Sequence, residues 1–500
     1  MTREKKLFLN TITSIVFQVL TVLCGLILPR FYLLYYGSNA NGLVASITQF
    51  LGFITLCECG VGAVIQSAFY KPLADKDDYE LSKIVKSSDR FFKCIALILL
   101  IYVFVLCIVY PYIISSQFDT IYTISLVIII ALSSFSQYFF GATSRLLLNA
   151  DQMGYIQYLV KIIGLIVNTF LCLVLMRIGC QLHIVKFLSS MIFIIQPIIL
   201  NLYVKKNYSI DYRVKLEEEP IKQKWNGLAQ HISYVVLQNT DIIVLTIFSS
   251  LANVSIYGVY FNVVNGVSAL LLAMLSSFEA IMGELYAKKK KIELKNSFSF
   301  LEWISHLLTA ILFSITGLLI VPFVMIYTSG INDANYYVPV FGGVITVAYA
   351  SYCIQIPYNL LIHAMGHYKQ TQKSSIIEAV INIVISIITV SKFGLIGVAI
   401  GTACAMIYRV LFFVWYLSNN GFEGKTKDFL RQTIVDVITV TLIIVIGKFV
   451  MLKSDNIISW VLSAIILLIL AIVISVSINT IFYKKYITQI VKVVKEKIRT

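Results

Sequence analysis

Apolar runs about twenty residues long, separated by short polar segments, recur along the whole chain and predict helices that cross a bilayer. A hydrocarbon layer of about 30 Å takes roughly 20 helical residues to span, because backbone polar groups cannot stay unpaired in lipid. Fourteen runs meet that length. The first six cover residues 11–34, 42–66, 91–113, 121–143, 156–176 and 182–204. After a polar stretch come 229–249, 254–278, 301–327, 336–362, 374–391 and 395–417, and a final pair covers 432–452 and 457–482. The expected architecture is all-α and polytopic, with an N-lobe over 1–204, a cytoplasmic linker over 205–228 and a C-lobe over 229–418. Helices thirteen and fourteen follow within 419–483, then a basic cytoplasmic tail over 484–500.

Charge orients these spans. With the N-terminus inside, thirty-two of the forty Lys and Arg residues fall in the two tails and in the inner loops with their flanking helix ends, and six fall in the outer loops or their flanking helix ends. Lys161 and Arg409 remain within predicted helices. A wrong helix count would scramble that sorting. Both termini are therefore expected on the cytoplasmic side of the membrane. The net charge of +15 is mostly a topology signal plus attraction to anionic lipid, so no nucleic acid is needed to explain it. Composition agrees: 59% hydrophobic and 13% charged residues, with mean hydropathy +0.86, lie outside the range of soluble domains. The segment MTREKK resembles a signal-peptide n-region, but the apolar run behind it is too long and is expected to stay as helix one. Nine Cys scattered through apolar segments read as buried thiols, and Cys57 and Cys59 lack partner ligands for a metal.

An internal repeat adds mechanism. Gly42 and Tyr70 recur as Gly258 and Tyr286 at an offset of 216, while Leu146–Ala150 matches Leu360–Ala364 and Asn168 matches Asn382 at 214. An offset spanning six helices preserves orientation, so two six-helix lobes related by a pseudo-twofold along the membrane normal are expected.

Enzyme signatures fail. Asn419 to Thr426 ends like a phosphate loop, yet Asn419 stands where the first Gly belongs and no strand precedes it, so a solvated inner loop is expected. Asp75-Lys76-Asp77 reads as charged loop, no His pair has metalloprotease spacing, and no outer loop has room for a catalytic domain. Neither a cofactor nor a metal is expected.

Ionisable residues inside apolar segments carry the site information, since each costs about 2.5–3.5 kcal/mol at a helix centre. Glu58, Asp241, Glu378 and Arg409 lie deepest and are expected to face a polar cavity, with an Arg409–Glu378 ion pair as the alternative. Lys161 either snorkels or lines the cavity. Glu302 and His306, four apart, are expected to pair with each other near the inner interface. Pro29 is expected to weaken the outer part of helix one beside Arg30.

Three segments carry a family resemblance. NGLVASITQFLGFITLCECGVGAVIQSAFYKPLADKD around helix two, LQNTDIIVLTIFSSLANVSIYGVYFNVV with Asp241 and Ser255-Ile256-Tyr257-Gly258, and RLLLNADQMGYIQ after helix four are the segments concerned. In them the chain resembles the oligosaccharide and polysaccharide lipid flippases of the multidrug/oligosaccharidyl-lipid/polysaccharide exporter superfamily. The resemblance implies a secondary transporter that moves undecaprenyl-pyrophosphate-linked oligosaccharide repeat units, of O-antigen or capsule type, between leaflets by alternating access. On that reading Arg30, Lys161 and Arg409 are candidate anion partners, and Asn149, Asn168, Gln238 and Asn382 candidate sugar contacts. Glu58, Asp241 and Glu378 are candidates for coupling H+ or Na+ or for gating. A polysaccharide polymerase and glycosyltransferases would be functional partners. The rivals are a multidrug or cation antiporter and a lipid II flippase of the same superfamily and, from another class, an integral membrane polymerase or glycosyltransferase.

Overall fold

The computed structural model describes residues 3–58, 61–114, 117–215, 228–422, 424–453 and 456–488. Every regular element among them is helical. In chain order these are α1 (Arg3–Gly52), a 3-10 turn (Phe53–Glu58), α2 (Val61–Asp75), α3 (Asp78–Ile114), α4 (Thr120–Ser136), a π turn (Gln137–Gly141), α5 (Ala142–Ala150), α6 (Gly154–Arg177), α7 (Leu182–Asn207) and α8 (Leu228–Phe248). Then come α9 (Leu251–Leu275), α10 (Ser277–Ala287), α11 (Lys291–Tyr327), α12 (Pro339–Ala364), α13 (Tyr368–Phe393), α14 (Leu395–Asn419), α15 (Lys425–Val450) and α16 (Ile457–Phe482).

Twelve helical runs among the described residues are long and apolar enough to cross a membrane. The first, Phe8–Glu58, contains the expected span 11–34 and much of 42–66, and the apolar part of α8, Asn239–Phe248, counts only as a shorter helix. That accounts for the difference from fourteen. Helix one does not break at Pro29: α1 runs through it and kinks at Gly37, whose φ of 81° is open to glycine at little cost. The expected span 42–66 is also not one helix, because the 3-10 turn Phe53–Glu58 interrupts it.

Contacts divide the chain into two compact units, Met1–Ser255 and Ile256–Thr500. In the first, Leu43, Ile47, Val61, Ile65, Phe69, Phe92, Leu99 and Tyr110 form a buried core. Helix α8 belongs here through a polar stitch to α1, where Ser46 Oγ meets Thr246 Oγ1 at 2.7 Å, and Tyr110 of α3 donates to the same Ser46 Oγ at 2.7 Å. Asn41 Nδ2 donates to Ser255 Oγ at 2.8 Å, and a Cβ on the neighbouring Gly42 would sit 1.8 Å from the Leu251 carbonyl oxygen. Only glycine admits that approach. In apolar surroundings such pairs hold helices together because the alternative is an unsatisfied polar group.

In the second unit α11 is the spine on which the last two helices are fastened. Trp303 Nε1 donates to Asn479 Oδ1 at 2.8 Å and Trp460 Nε1 to the Leu319 carbonyl at 3.1 Å, tying α16 to α11 at two levels. Lys425, at the start of α15, is buried against the Glu302 carboxylate, which also accepts from Tyr358. His306 meets Asp436 at 2.5 Å, and Gln432 donates to the other Asp436 oxygen at 3.2 Å. Two expectations are corrected here. Glu302 and His306 do not pair with each other, because α12 and α15 bring better partners to each. Lys425 is not in a solvated loop but is 3% exposed inside an ion pair.

The repeat is legible as local geometry. Between α5 and α6 the chain closes with Asp151 N–H on Leu147 O, Gln152 N–H on Asn149 O and Met153 N–H on Leu148 O. Between α12 and α13 the same three bonds recur as Met365 on Leu361, Gly366 on His363 and His367 on Ile362, each shifted by 214. The middle residue takes positive φ in both, 57° at Gln152 and 71° at Gly366. A second pair of turns matches at 213: Asp77 N–H on Pro72 O and Lys290 N–H on Leu285 O, with Lys76 at φ 54° and Lys289 at 56°. The helices that follow, α3 and α11, are both 37 residues long.

The two copies of the first turn differ in strain, since a left-handed residue with a Cβ costs about 1–2 kcal/mol where glycine does not. Gln152→Gly should therefore raise the unfolding midpoint in detergent, and Gly366→Gln should lower stability by about 1 kcal/mol. Equal midpoints for both variants and the parent would contradict the shared geometry.

Candidate functional site

Within the first unit a cavity of about 260 Å³ opens where two irregular turns meet α5, α6 and α7. The 3-10 turn contributes Thr55 and Glu58, and the π turn contributes Gln137, Tyr138 and Gly141. Arg145 comes from α5, Gln157 and Lys161 from α6, and Gln196, Pro197 and Leu200 from α7. Wound tightly or loosely, such turns shift side chains off the regular helical face, and π turns favour functional positions. Non-helical backbone at membrane depth is tolerated where it lines a cavity.

The polar groups are unevenly satisfied. Tyr138 donates to Glu58 Oε1 at 2.5 Å, which anchors the carboxylate to the π turn. Lys161 lies 5.4 Å from the Phe17 ring centroid, a cation–π contact that leaves its ammonium donors available. Gln157 is 5% exposed and its Oε1 has no hydrogen-bond partner, although it belongs to the cavity wall. Leaving a buried acceptor unpaired costs about 1–3 kcal/mol, which a bound donor would recover. Two glycines make room. A Cβ at Gly141 would stand 2.5 Å from Pro197 Cβ, and one at Gly164 would stand 2.0 Å from Gln196 Nε2.

A second, shallower cavity of about 300 Å³ is lined by Asn10, Thr11, Ser14, Asn149, Gly154 and Tyr158. It sits beside the α5–α6 turn, where Asn10 accepts from the Tyr155 N–H at 2.6 Å and donates to Gln152 O at 2.8 Å. Lys6 pairs with Asp151 at 3.3 Å, and Tyr208 donates to the other Asp151 oxygen at 2.7 Å. Burial and that carboxylate together push the Tyr208 phenol well above its ordinary pKa, so it stays a donor at any physiological pH.

Of the residues singled out from sequence, Glu58 and Lys161 come together in the first cavity and Asn149 lines the second. Asn168 is buried on α6 and accepts from Cys172 Sγ at 3.6 Å. Arg30 is half-buried on α1 and Asp241 is buried on α8, and neither lines these two cavities. The Gln238 side chain lies outside the described residues. In the second unit Arg409 sits 3.4 Å from Glu378, donates to Ser374 Oγ and stacks 4.3 Å from the Phe413 ring centroid. Asn382 donates to Thr402 Oγ1 at 3.1 Å. Sequence reasoning passed over Arg145, Gln157 and Gln196 as cavity residues. The run from Arg145 to Lys161 holds three of the lining polar groups on two short helical faces, and that spacing was the available signal. No group of three or more His, Cys, Asp or Glu suited to a metal occurs among the described residues.

No family model matches the sequence, and no curated protein matches it. Solved structures do match in fold. The chain is similar to the lipid II flippase MurJ in an inward closed conformation, with TM-score 0.75, 16% identity, and coverage of 96% of this chain and 100% of that one. It is similar to an inward-facing multidrug resistance MATE transporter of the MOP superfamily, with TM-score 0.65, 13% identity, and 83% and 95% coverage. It is also similar to the MATE multidrug transporter DinF-BH, with TM-score 0.60, 15% identity, and 84% and 97% coverage. The chain thus has the all-helical fold of these transporters.

The buried Arg409–Glu378 pair generates a prediction. Glu378→Gln leaves a guanidinium without its counter-charge and should cost about 3–5 kcal/mol. Replacing both residues with Gln and Met should cost less than Glu378→Gln alone, read as unfolding midpoints in detergent. A single variant as stable as the parent would show that the pair holds nothing.

Proposed function

We propose that this protein is a secondary transporter that flips undecaprenyl-pyrophosphate-linked oligosaccharide repeat units from the inner to the outer leaflet by alternating access, for export of a surface polysaccharide. The observation that carries the reading is the cavity of the first unit between the two irregular turns. Arg145 and Lys161 line it together with the amides of Gln157 and Gln196, and the one carboxylate, Glu58, is held by Tyr138. Two cations suit a pyrophosphate, and amides suit the hydroxyls of a sugar joined to it. The polyprenyl tail has no need of a protein pocket, since it stays dissolved in lipid. On this reading the chain lies in the bacterial cytoplasmic membrane with both termini inside, organised as two six-helix lobes plus the pair α15 and α16. Lys161 and Arg145 meet the pyrophosphate, Asn149 extends the sugar path, and Glu58 released from Tyr138 is the gating or coupling group. Arg30 and Asp241 remain candidates from sequence alone, and the Arg409–Glu378 pair holds α13 against α14.

A lipid II flippase is the second reading, favoured by the similarity to MurJ, which spans 96% of this chain. Deletion separates the two. Loss of a cell-wall precursor flippase is lethal, whereas loss of a surface-glycan flippase leaves viable cells without that glycan.

Arg145→Gln and Lys161→Gln, each at unchanged protein level, should reduce surface polysaccharide about tenfold, as expected when a charge-assisted contact is lost. Lipid-linked repeat units should build up on the inner leaflet of the same cells. Undiminished export in both variants would overturn the assignment of this cavity.

A further inference from the structure

A third cavity lies along α3 in the first unit and shares no lining residue with the two described above. It encloses about 740 Å³ and is lined by Lys86, Asp89, Arg90, Lys93, Cys94 and Leu97 of α3 and by Tyr212. Tyr212 belongs to the segment after α7, which is fastened over α3 by Lys86 Nζ on Val214 O at 2.6 Å and by Asp211 N–H on Ser82 Oγ at 3.0 Å. Lys205 lies over the Tyr212 ring at 5.7 Å and adds a further cation at the wall. The lining itself carries three cations against one carboxylate, and Arg90 and Lys93 are both exposed.

What lies below this basic cup decides its ligand. Arg90, Lys93, Leu97, Ile101, Phe104 and Ile108 follow one another at spacings of three and four, so they share one face of α3. Leu97, Ile101 and Phe104 are 57%, 66% and 67% exposed, and Ile108 is 51% exposed. An exposed apolar stripe thus continues from the cations down the helix. A soluble phosphate would fill only the cup. A molecule with an anionic head and hydrocarbon chains would satisfy both parts, and three cations ringed by apolar surface match a phosphodiester.

We propose that this cup is a binding site for the phosphodiester headgroup of an anionic phospholipid, whose acyl chains lie along the Leu97–Ile108 stripe. The positive-inside count places the site in the cytoplasmic leaflet. Its occupant is a lipid of the surrounding membrane rather than the transported one, because the stripe is exposed along α3 and the cup shares no lining residue with the cavity between the two irregular turns. The site holds whichever glycan is moved.

Cys94 lies in the cup and reports occupancy directly. The full chain is reconstituted into vesicles of phosphatidylcholine alone or with about 30% phosphatidylglycerol, and N-ethylmaleimide labelling of Cys94 is followed by peptide mass spectrometry, with Cys180 as internal reference for surface-charge effects. Phosphatidylglycerol should slow Cys94 about threefold relative to Cys180, while about 10 mM inorganic phosphate in the phosphatidylcholine vesicles should leave it unchanged. Arg90→Gln/Lys93→Gln removes two exposed charges and should abolish the difference. The proposal is overturned if Cys94 reacts at the same relative rate in both vesicles, if protection survives in the double variant, or if inorganic phosphate protects. It is likewise overturned if undecaprenyl phosphate protects and phosphatidylglycerol does not. Export measured in the same double variant separates this site from the transport path, since loss of lipid protection with normal export leaves the proposed function standing.

Discussion

Hydrocarbon offers no hydrogen bonds, and the structure is organised around that constraint. Each backbone break inside the apolar region must be closed by the chain itself or must open onto a polar space. The 3-10 turn Phe53–Glu58 and the π turn Gln137–Gly141 both line one cavity, where Glu58 and Tyr138 from the two turns bond to each other. Helix α1 takes the other course. It runs through Pro29 and changes direction at Gly37, where the absence of a side chain keeps the turn inexpensive. The two irregular turns of the first unit thus share one polar cavity, as non-helical backbone at membrane depth requires.

The same constraint gives intramembrane charges two fates. In the second unit they are consumed in pairs: Lys425 with Glu302, His306 with Asp436, Arg409 with Glu378. Buried pairs of this kind gain little net stability over apolar packing, but losing one partner is costly, so they fasten α15 and α14 in one register. In the first unit Arg145, Lys161 and Gln157 surround open volume, with the Gln157 carbonyl oxygen unsatisfied. One unit uses its polar groups to hold helices. The other keeps the Gln157 acceptor unpaired at a cavity wall.

Helix positions were largely legible in the sequence because a span of apolar residues leaves few alternatives in lipid, although fourteen expected runs became twelve where two merged in α1 and α8 fell short. The repeat was legible too: Leu146–Ala150 and Leu360–Ala364 proved to be the ends of two helices closed by identical turns. Partner choice was not. Glu302 and His306 looked like a local pair at helical spacing, yet their partners are 123 and 130 residues away on α15. Lys425 sits in a glycine-rich stretch that reads as solvated loop, and only the approach of α11 and α12 buries it. Pairing across helices depends on rotation about each axis, which composition does not encode. Gln157 and Gln196 escaped notice for a related reason, since uncharged amides carry no insertion penalty large enough to mark them.

The offsets of the repeat connect these observations at one contact. Gly164 plus 214 is Glu378, and Gln196 plus 213 is Arg409, where 213 is the interval between the starts of α7 at Leu182 and α14 at Leu395. In the first unit the Gln196 amide occupies the space above Gly164, and in the second the Arg409 guanidinium occupies the space beside Glu378. The same helix pair thus meets at the same level in both copies, through an amide over a glycine in one and a salt bridge in the other. That difference has a physical consequence. An ion pair fixes its helices and neutralises its cation, whereas an amide over a bare glycine leaves a neutral wall, and Gln196 in that wall lines the cavity with Arg145 and Lys161. At this corresponding contact one copy carries a buried ion pair, and the other carries an amide over a glycine at the wall of a cavity.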